Sequence, residues 1–160
     1  MARTLLIPTD FSIESLWLLK EALRPVQIGK VSIILLHCVY TSDSIVELLF
    51  FSRKELVDKL INEDFRDACK ILRRKYTHHI ESLRIEIFSG NTQRAFKDFL
   101  LANHIDEILL PHPFGLKNVH RDSFSPEPFI RNCHAVVTEV AWQPSEDIPE
   151  KNKLAAIFLL

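Results

Sequence analysis

The run VSIILLHCV, at residues 31–39, constrains the fold of this chain more than any other stretch. It is nearly all apolar and rich in β-branched residues, which is typical of a central strand buried on both faces of a parallel sheet. The shorter run TLLIP, at 4–8, has the same character and ends at a proline. A sheet buried on both faces needs a layer of helices on each side, so the two runs predict an α/β protein.

Helical and strand-like patterns alternate along the chain. Strands are predicted at 4–8, 31–39, 83–88, 105–110 and 135–142. Helices are predicted from the N-cap Ser12 to Pro25 with Glu14 in the first turn, over 56–76 as one long amphipathic helix, over 91–103 and around 127–133. Strands that alternate with helices are joined by right-handed crossovers, so we expect a mostly parallel sheet.

The size and charge of the chain indicate one globular domain and exclude an electrostatic nucleic-acid site. Its 160 residues suffice for a core that buries roughly 70% of the unfolded surface. The formal net charge is −1, and basic residues cluster only at 73–75. The first eleven residues lack the apolar core of a secretory signal, and no apolar run approaches the ~20 residues that span a bilayer. We therefore expect a cytoplasmic protein without a membrane segment.

Neither the cysteines nor the histidines match a disulfide, metal or catalytic pattern. Cys38, Cys69 and Cys133 are odd in number and far apart, so buried, inert thiols are predicted. Three histidines lie on or near the segment after the fourth strand, at His112, His120 and His134. Their spacings match neither H-x3-H nor H-E-x-x-H, and no G-x-S-x-G is present, so we expect no metal site and no enzymatic activity.

In an open parallel sheet, ligands bind at the carboxyl ends of the strands, where the strand order reverses. The segments there are PTDFS (8–12), VYTSDS (39–44) and LLPHPFGLKNVHRDSFSPEP (109–128). In and beside them the sequence resembles the universal stress protein family in three places. LLIPTDFSIES (5–15) is similar to the family's start, ILVPTDFSE-S; VSIILLHCVY (31–40) is similar to its second strand, where LLHV is common; HIDEILLPHPFG (104–115) is similar to its fourth-strand segment, ADLIVMGSHG.

The resemblance covers about residues 3–142 and implies a detailed fold. Members have a three-layer α/β/α sandwich with a five-stranded parallel sheet in the order 3-2-1-4-5, like the adenine nucleotide alpha hydrolases, and commonly dimerise through the last strand, here 135–142. One branch binds ATP and another does not bind nucleotide, and the family is associated with stress survival and signalling. We therefore expect a domain of this family at 1–142, followed by a linker and apolar tail at 143–160.

A glycine pattern that begins just after the fourth strand, G-x-x-G-x9-G-[ST], distinguishes the two branches. Its positions fall on Pro111, Phe114, Phe124 and Ser125, so all three glycines are replaced, and a shift by one residue recovers only Gly115. Proline has no N–H to offer a phosphate, and phenylalanine adds bulk where a phosphate would pass. Losing two or three charged hydrogen bonds costs on the order of 3–9 kcal/mol, against about 8 kcal/mol for micromolar binding. ATP binding is predicted to be lost or weak, and no cofactor is expected.

Other residues at this edge have two interpretations each. The resemblance places Asp10 where a carboxylate contacts the nucleoside, and Pro8 and Val39 near the adenine; Asp10 equally suits a residue that orders the turn before the first helix. Ser125 is either the hydroxyl of the pattern or a helix cap. Two cations in the same segment are either anion contacts or solvated charges, namely Lys117 and Arg121.

Two further segments are candidates for contacts with other proteins. The apolar tail KLAAIFLL (153–160) is expected to pack on its own domain or on a dimer partner, or to be captured by another protein. His78 and His79, beside the basic residues 73–75, either complement the dipole at a helix end or form a basic docking patch.

The sequence predicts a homodimeric binding or signalling module of the branch that has lost ATP binding, acting in stress response. The alternative is a small-molecule or nucleotide-binding protein, slow hydrolysis included, that binds ATP or AMP weakly, or another anion, with a remodelled segment after the fourth strand. It predicts an open pocket at the carboxyl ends of the first and fourth strands. A third hypothesis is a scaffold that holds a partner through the apolar tail.

Overall fold

Five parallel strands form one sheet in the order β3-β2-β1-β4-β5 in the computed structural model, which describes residues 3–23, 29–40 and 53–141. The strands are β1 Arg3–Pro8, β2 Val31–Cys38, β3 Ile80–Phe88, β4 Glu107–His112 and β5 Val136–Ala141. The helices of the described ranges are α1 Leu16–Leu23, α2 Arg53–Leu60, α3 Glu63–Lys75, α4 Gln93–Ala102 and α5 Glu127–Arg131. The predicted linker and tail, Pro25 and most of VYTSDS lie outside the described residues.

Two apolar clusters cover the two faces of the sheet. Successive residues of β1 point to opposite faces, so that Leu5 and Ile7 join α1, α2 and α3 in one cluster, while Leu6 joins α4 and α5 in the other. Burial on both faces is what favours an uninterrupted apolar run in the two central strands. The predicted fold class, a three-layer α/β/α sandwich with strand order 3-2-1-4-5, is confirmed.

The single long helix predicted over 56–76 is wrong, because the chain forms two helices there. α2 ends at Leu60 and α3 begins at Glu63. Between them Asn62 has extended backbone angles, and its side chain accepts a hydrogen bond from the Phe65 N–H at 2.8 Å. Asparagine side chains compete with the helical backbone for its own donors, and this favours a cap over a helix interior. The apolar spacing continues because both helices pack on the same face of the sheet.

Several element boundaries also differ from prediction: β3 begins at Ile80 and α2 at Arg53, each three residues before the predicted start, and the start of α1 and the end of β4 differ as well. The Ser12 hydroxyl accepts from the Ser15 N–H at 3.2 Å, but the first backbone bonds span three residues, and α1 proper begins at Leu16. Glu14 therefore precedes the first α-helical turn. β4 continues past residue 110 to His112, and its Pro111 is paired with Val140 of β5. β4 pairs with β1 only near its start, so the end of β4 has an open side where proline is tolerated.

β3 and β5 are the edge strands of the sheet in the described residues. β5 is mostly exposed, and Val136 retains 63% of its accessible surface. None of the helices in the described ranges is long and apolar enough to cross a bilayer.

Candidate functional site

The carboxyl ends of β1, β2 and β4 meet at one edge of the sheet, where the strand order reverses. Three segments come together there: the PTDF turn (8–11), residues 37–40, and the strand-4 loop, which we define as residues 113–126 because β4 ends at His112. The strand-4 loop returns across the ends of β1 and β2 rather than projecting away from the sheet. It therefore covers the position where ligands bind in open parallel sheets.

Asp10 joins the PTDF turn to the strand-4 loop. Its side chain is buried, with 5% of its surface exposed. One carboxylate oxygen accepts from the Ser12 N–H at 3.0 Å and from the Ser12 hydroxyl, and the other accepts from the backbone N–H of Lys117 at 3.1 Å. This is the arrangement of a residue that orders the turn, with an additional bond to a residue 107 positions away. Both carboxylate oxygens thus have protein donors.

Phe11 holds the other end of the PTDF turn with a left-handed backbone. Its φ is +60°, a region that costs an ordinary residue energy unless neighbouring contacts hold it there. The Phe11 N–H donates to the Thr9 hydroxyl at 3.0 Å, and that hydroxyl lies 2.8 Å from the Ser15 hydroxyl. The Phe11 ring packs edge-on against Phe65 of α3. Packing and hydrogen bonds together fix the turn.

His37 is the buried polar centre of the site. Its Nδ1 lies 2.8 Å from the Thr9 carbonyl oxygen, and its Nε2 lies 2.8 Å from the Ser123 hydroxyl. A carbonyl oxygen only accepts, so Nδ1 carries the proton and Nε2 accepts from Ser123. Burial lowers the pKa of His37 below its ordinary value of 6.5, although the Thr9 bond and the charge of Asp10 oppose the shift. The imidazole is therefore neutral at pH 7.

Sequence reasoning did not single out His37 or Ser123. His37 stands in an apolar run, and the available signal was that a buried polar side chain needs partners. Ser123 is 86 residues away, and its hydroxyl also accepts from the His120 N–H at 3.1 Å. Nothing in the local pattern around either residue indicates the other.

Residues 122–124 pair with residues 38–40 as a short antiparallel contact. The Tyr40 N–H donates to the Asp122 carbonyl at 2.7 Å, and the Phe124 N–H donates to the Cys38 carbonyl at 3.1 Å. Val39, expected near an adenine, forms the bridge with Ser123 and is buried. The strand-4 loop thus extends β2 with backbone hydrogen bonds.

Phe124 and Phe114 fill the space at this edge. The centroid of the Phe124 ring lies about 6 Å from the ring centroids of Phe88, Phe129 and Tyr40. Phe114 and Phe124 both pack on the apolar cluster that contains Leu6, α4 and α5. The ligand-binding alternative predicts an open pocket at the carboxyl ends of β1 and β4. Among the described residues, the space there is a cavity of about 10 Å³, lined in part by Pro8. A cavity needs about 10–15 Å³ to hold one water molecule, so this one is far too small for a nucleotide.

The remaining predicted site residues do not converge on a ligand position. Pro111 lies within β4, and the Ser125 hydroxyl accepts from the Glu127 N–H at 3.2 Å. This is a turn bond one residue ahead of the N-cap of α5, which is Pro126 and has no side-chain cap bond. The backbone N–H of Lys117 is bound to Asp10. The Arg121 side chain is 87% exposed and forms an ion pair with Asp122. Each of these residues thus has contacts within the protein.

The described part of the chain holds no metal cluster, and two of its thiols are unreactive. No three His, Cys, Asp or Glu side chains of those ranges lie close enough together to hold an ion. Burial raises the pKa of the Cys38 thiol, and it raises that of Cys69 to about 12. Both thiols are therefore protonated and unreactive at neutral pH.

Comparisons with known proteins identify structural relatives only. No family model and no curated protein sequence matches the chain. The hypothetical protein PH0823 is 19% identical, with a TM-score of 0.53 over 91% of this chain and all of that one. A universal stress protein family member from Burkholderia pseudomallei is 14% identical, with a TM-score of 0.51 over 86% and 94%. A universal stress protein in complex with cAMP is 15% identical, with a TM-score of 0.50 over 86% and 96%. At these identities the likeness concerns the fold.

Proposed function

We propose that this chain, which has the universal stress protein fold, is a cytoplasmic, non-enzymatic binding or signalling module of the branch that does not bind nucleotide. It would act as a homodimer in stress response. The observation that carries the proposal is the closed state of the ligand edge, where the strand-4 loop leaves a cavity of about 10 Å³.

The backbone donors of the strand-4 loop support the loss of phosphate binding. A phosphate loop needs several N–H groups directed at one anion. Here five backbone N–H groups of the strand-4 loop already have acceptors inside the protein. The Lys117 N–H donates to the Asp10 carboxylate, and the Phe124 N–H donates to the Cys38 carbonyl. The other three bonds lie within the loop: the His120 N–H donates to the Ser123 hydroxyl, the Asp122 N–H to the His120 ring, and the Ser123 N–H to the His120 carbonyl. Prolines at 113 and 126 supply no donor at all.

Calorimetric titration with ATP and Mg²⁺ tests this part of the proposal. We expect no binding below millimolar concentrations, because the ligand would have to displace Phe124 from its aromatic neighbours and break the His37–Ser123 bond. A micromolar dissociation constant would contradict the proposal. Mass spectrometry of the protein as purified provides an independent check, since a retained nucleotide would give the same contradiction.

The exposed edge of β5 supports the proposed dimer, which would form through residues 135–142. In the described residues β5 pairs only with β4, so its outer N–H and C=O groups are available to a second copy. We expect sedimentation velocity to show a dimer for the wild type and for the control Ile71→Lys on α3, and a monomer for Val136→Lys. Both side chains are exposed, so neither change disturbs the core. A monomeric wild type would contradict the dimer and leave the nucleotide test unaffected.

The alternative proposal, a protein that binds a nucleotide or another anion with a remodelled strand-4 loop, draws on the structural neighbour in complex with cAMP. Lys117 and Arg121 would supply positive charge, and the loop would have to leave its present contacts. The same calorimeter with cAMP and AMP separates the two proposals. Micromolar heats that disappear in Arg121→Ala but persist in the control Arg94→Ala would favour the alternative.

A further inference from the structure

An open groove lies on the face of the sheet covered by α4 and α5, away from the ligand edge. It runs between α4 and the turn 132–135 that leads into β5, and its volume is about 710 Å³. Sites that bury a small ligand have volumes of about 300–1,000 Å³, so the groove is large enough for several side chains. We call this space the α4 groove.

The α4 groove is apolar inside and carries positive charge at its rim. Leu100, Leu101, Ile105 and Ala135 line it, and Leu101 retains 64% of its accessible surface. Three exposed charged side chains of α4 also line the groove, and we call them its rim: Arg94, Lys97 and Asp98, with a net charge of +1. His134 of the turn 132–135 lines it as well. A matching occupant would be apolar and preceded or followed by acidic residues.

The chain itself contains a segment of that composition, LAAIFLL at 154–160, joined to β5 by QPSEDIPEKNK at 143–153. These residues lie outside the described ranges. The joining segment holds Glu146, Asp147 and Glu150 followed by Lys151 and Lys153, so its net charge is −1 and its acidic part is 146–150. This sign is opposite to the net +1 of Arg94, Lys97 and Asp98 at the groove. The apolar segment would bury side chains that are costly to leave in water.

The joining segment is long enough for residues 154–160 to reach the α4 groove from the end of β5. The groove lies at the start of β5, since residues 132–135 directly precede that strand, whereas the joining segment leaves from its end. Six strand residues span about 20 Å at ~3.3 Å each. Eleven residues extend to at most ~36–40 Å, so residues 154–160 can reach the groove without strain.

We infer that residues 154–160 dock in the α4 groove of their own chain, with Leu101 and Ile105 as the apolar floor and the acidic part of the joining segment, 146–150, beside Arg94 and Lys97. The groove would then be an intramolecular binding site for the tail, and a competing apolar peptide would be its alternative occupant.

A disulfide trap tests the docking directly, because Cys133 lines the groove. In the full-length variant Phe158→Cys, mild oxidation is expected to join the introduced thiol to Cys133 within one chain, as peptide mapping and an unchanged monomer mass on a non-reducing gel would show. The control Phe158→Cys with Cys133→Ser should give no such product. A disulfide between two chains, or an introduced thiol that remains free, would overturn the inference.

Alkylation of Cys133 by iodoacetamide gives a second measurement in chains without an added thiol. A docked tail shields Cys133, so we expect Phe158→Asp and Leu101→Glu each to be alkylated roughly tenfold faster than wild type, since burying a large apolar side chain is worth at least that factor. The control Ser145→Asp should match the wild type. Equal rates in all four proteins would contradict docking, and circular dichroism confirms that each remains folded.

Discussion

Replacing Asp10 tests whether this residue holds the closed edge together. In Asp10→Ala, the N–H groups of Ser12 and Lys117 lose a charged acceptor at 3.0 and 3.1 Å. A hydrogen bond to a charged group is worth about 1.5–3 kcal/mol, and a buried donor left without an acceptor loses that amount, so the two bonds together give about 3–6 kcal/mol. The bond from the Ser12 hydroxyl adds little because that group can turn to water. A loss of this size is a large part of the 5–15 kcal/mol typical of a domain.

Urea unfolding measures the total effect, and hydrogen exchange measures its location. We expect the free energy of unfolding to fall by about 3–6 kcal/mol in Asp10→Ala and by roughly half in Asp10→Asn, which keeps one acceptor oxygen. The Lys117 amide should lose its exchange protection in Asp10→Ala. The control Asp67→Ala, an exposed carboxylate on α3, should remain within about 0.5 kcal/mol of wild type.

The reasoning would be refuted if Asp10→Ala unfolded at the wild-type urea concentration with Lys117 still protected. That result would mean that the two N–H groups find other acceptors and that Asp10 is retained for a ligand. If Asp10→Ala does not fold, Asp10→Asn still decides the question, because it predicts a measurable, partial loss.

Two further predictions concern packing and pH. Gly90→Ala should lower the free energy of unfolding by about 1–3 kcal/mol, because an added Cβ would lie 2.7 Å from the Phe88 ring and 2.8 Å from the Ala95 Cβ; an unchanged urea midpoint would contradict this. Because the pKa of His37 is lowered in the folded protein, the unfolded chain binds a proton there more readily. The contribution of His37 to the free energy of unfolding is therefore complete above pH 6.5, and it falls below that pH by at most ~1.4 kcal/mol per pH unit. Urea unfolding at pH 7.5 and 5.5 should show a steeper loss in wild type than in His37→Gln; equal slopes would contradict the assignment.

The central strands were predictable because their burial is visible in the sequence. β1 and β2 lie between neighbours on both sides and helices on both faces, so most of their residues are apolar; the exceptions are Arg3, Thr4, Ser32 and His37. The break at Asn62 was not predicted, because the apolar spacing continues across it. An asparagine followed by Glu63 and Asp64 is nevertheless a helix-start signal, and it would have located the start of α3.

The position of the candidate site was predictable from the sequence, but its closure by the strand-4 loop was not. Strand order locates the carboxyl ends of β1 and β4, and the missing glycines indicate that phosphate donors are lost. The closing contacts join residues that are far apart, such as Asp10 with Lys117 and His37 with Ser123. Whether Phe124 fills the site or lines it depends on its packing against Phe88 and Phe129, which no local pattern encodes.

The bonds that close the strand-4 loop also bear on the order of folding. Contacts separated by 107 and 86 residues require β1, β2 and β4 to be in place before the loop has anything to bind. We expect these contacts to be absent from the folding transition state, so that weakening them speeds unfolding more than it slows folding. The closed edge would then be assembled late and would set how long the native state lasts more than how quickly it forms.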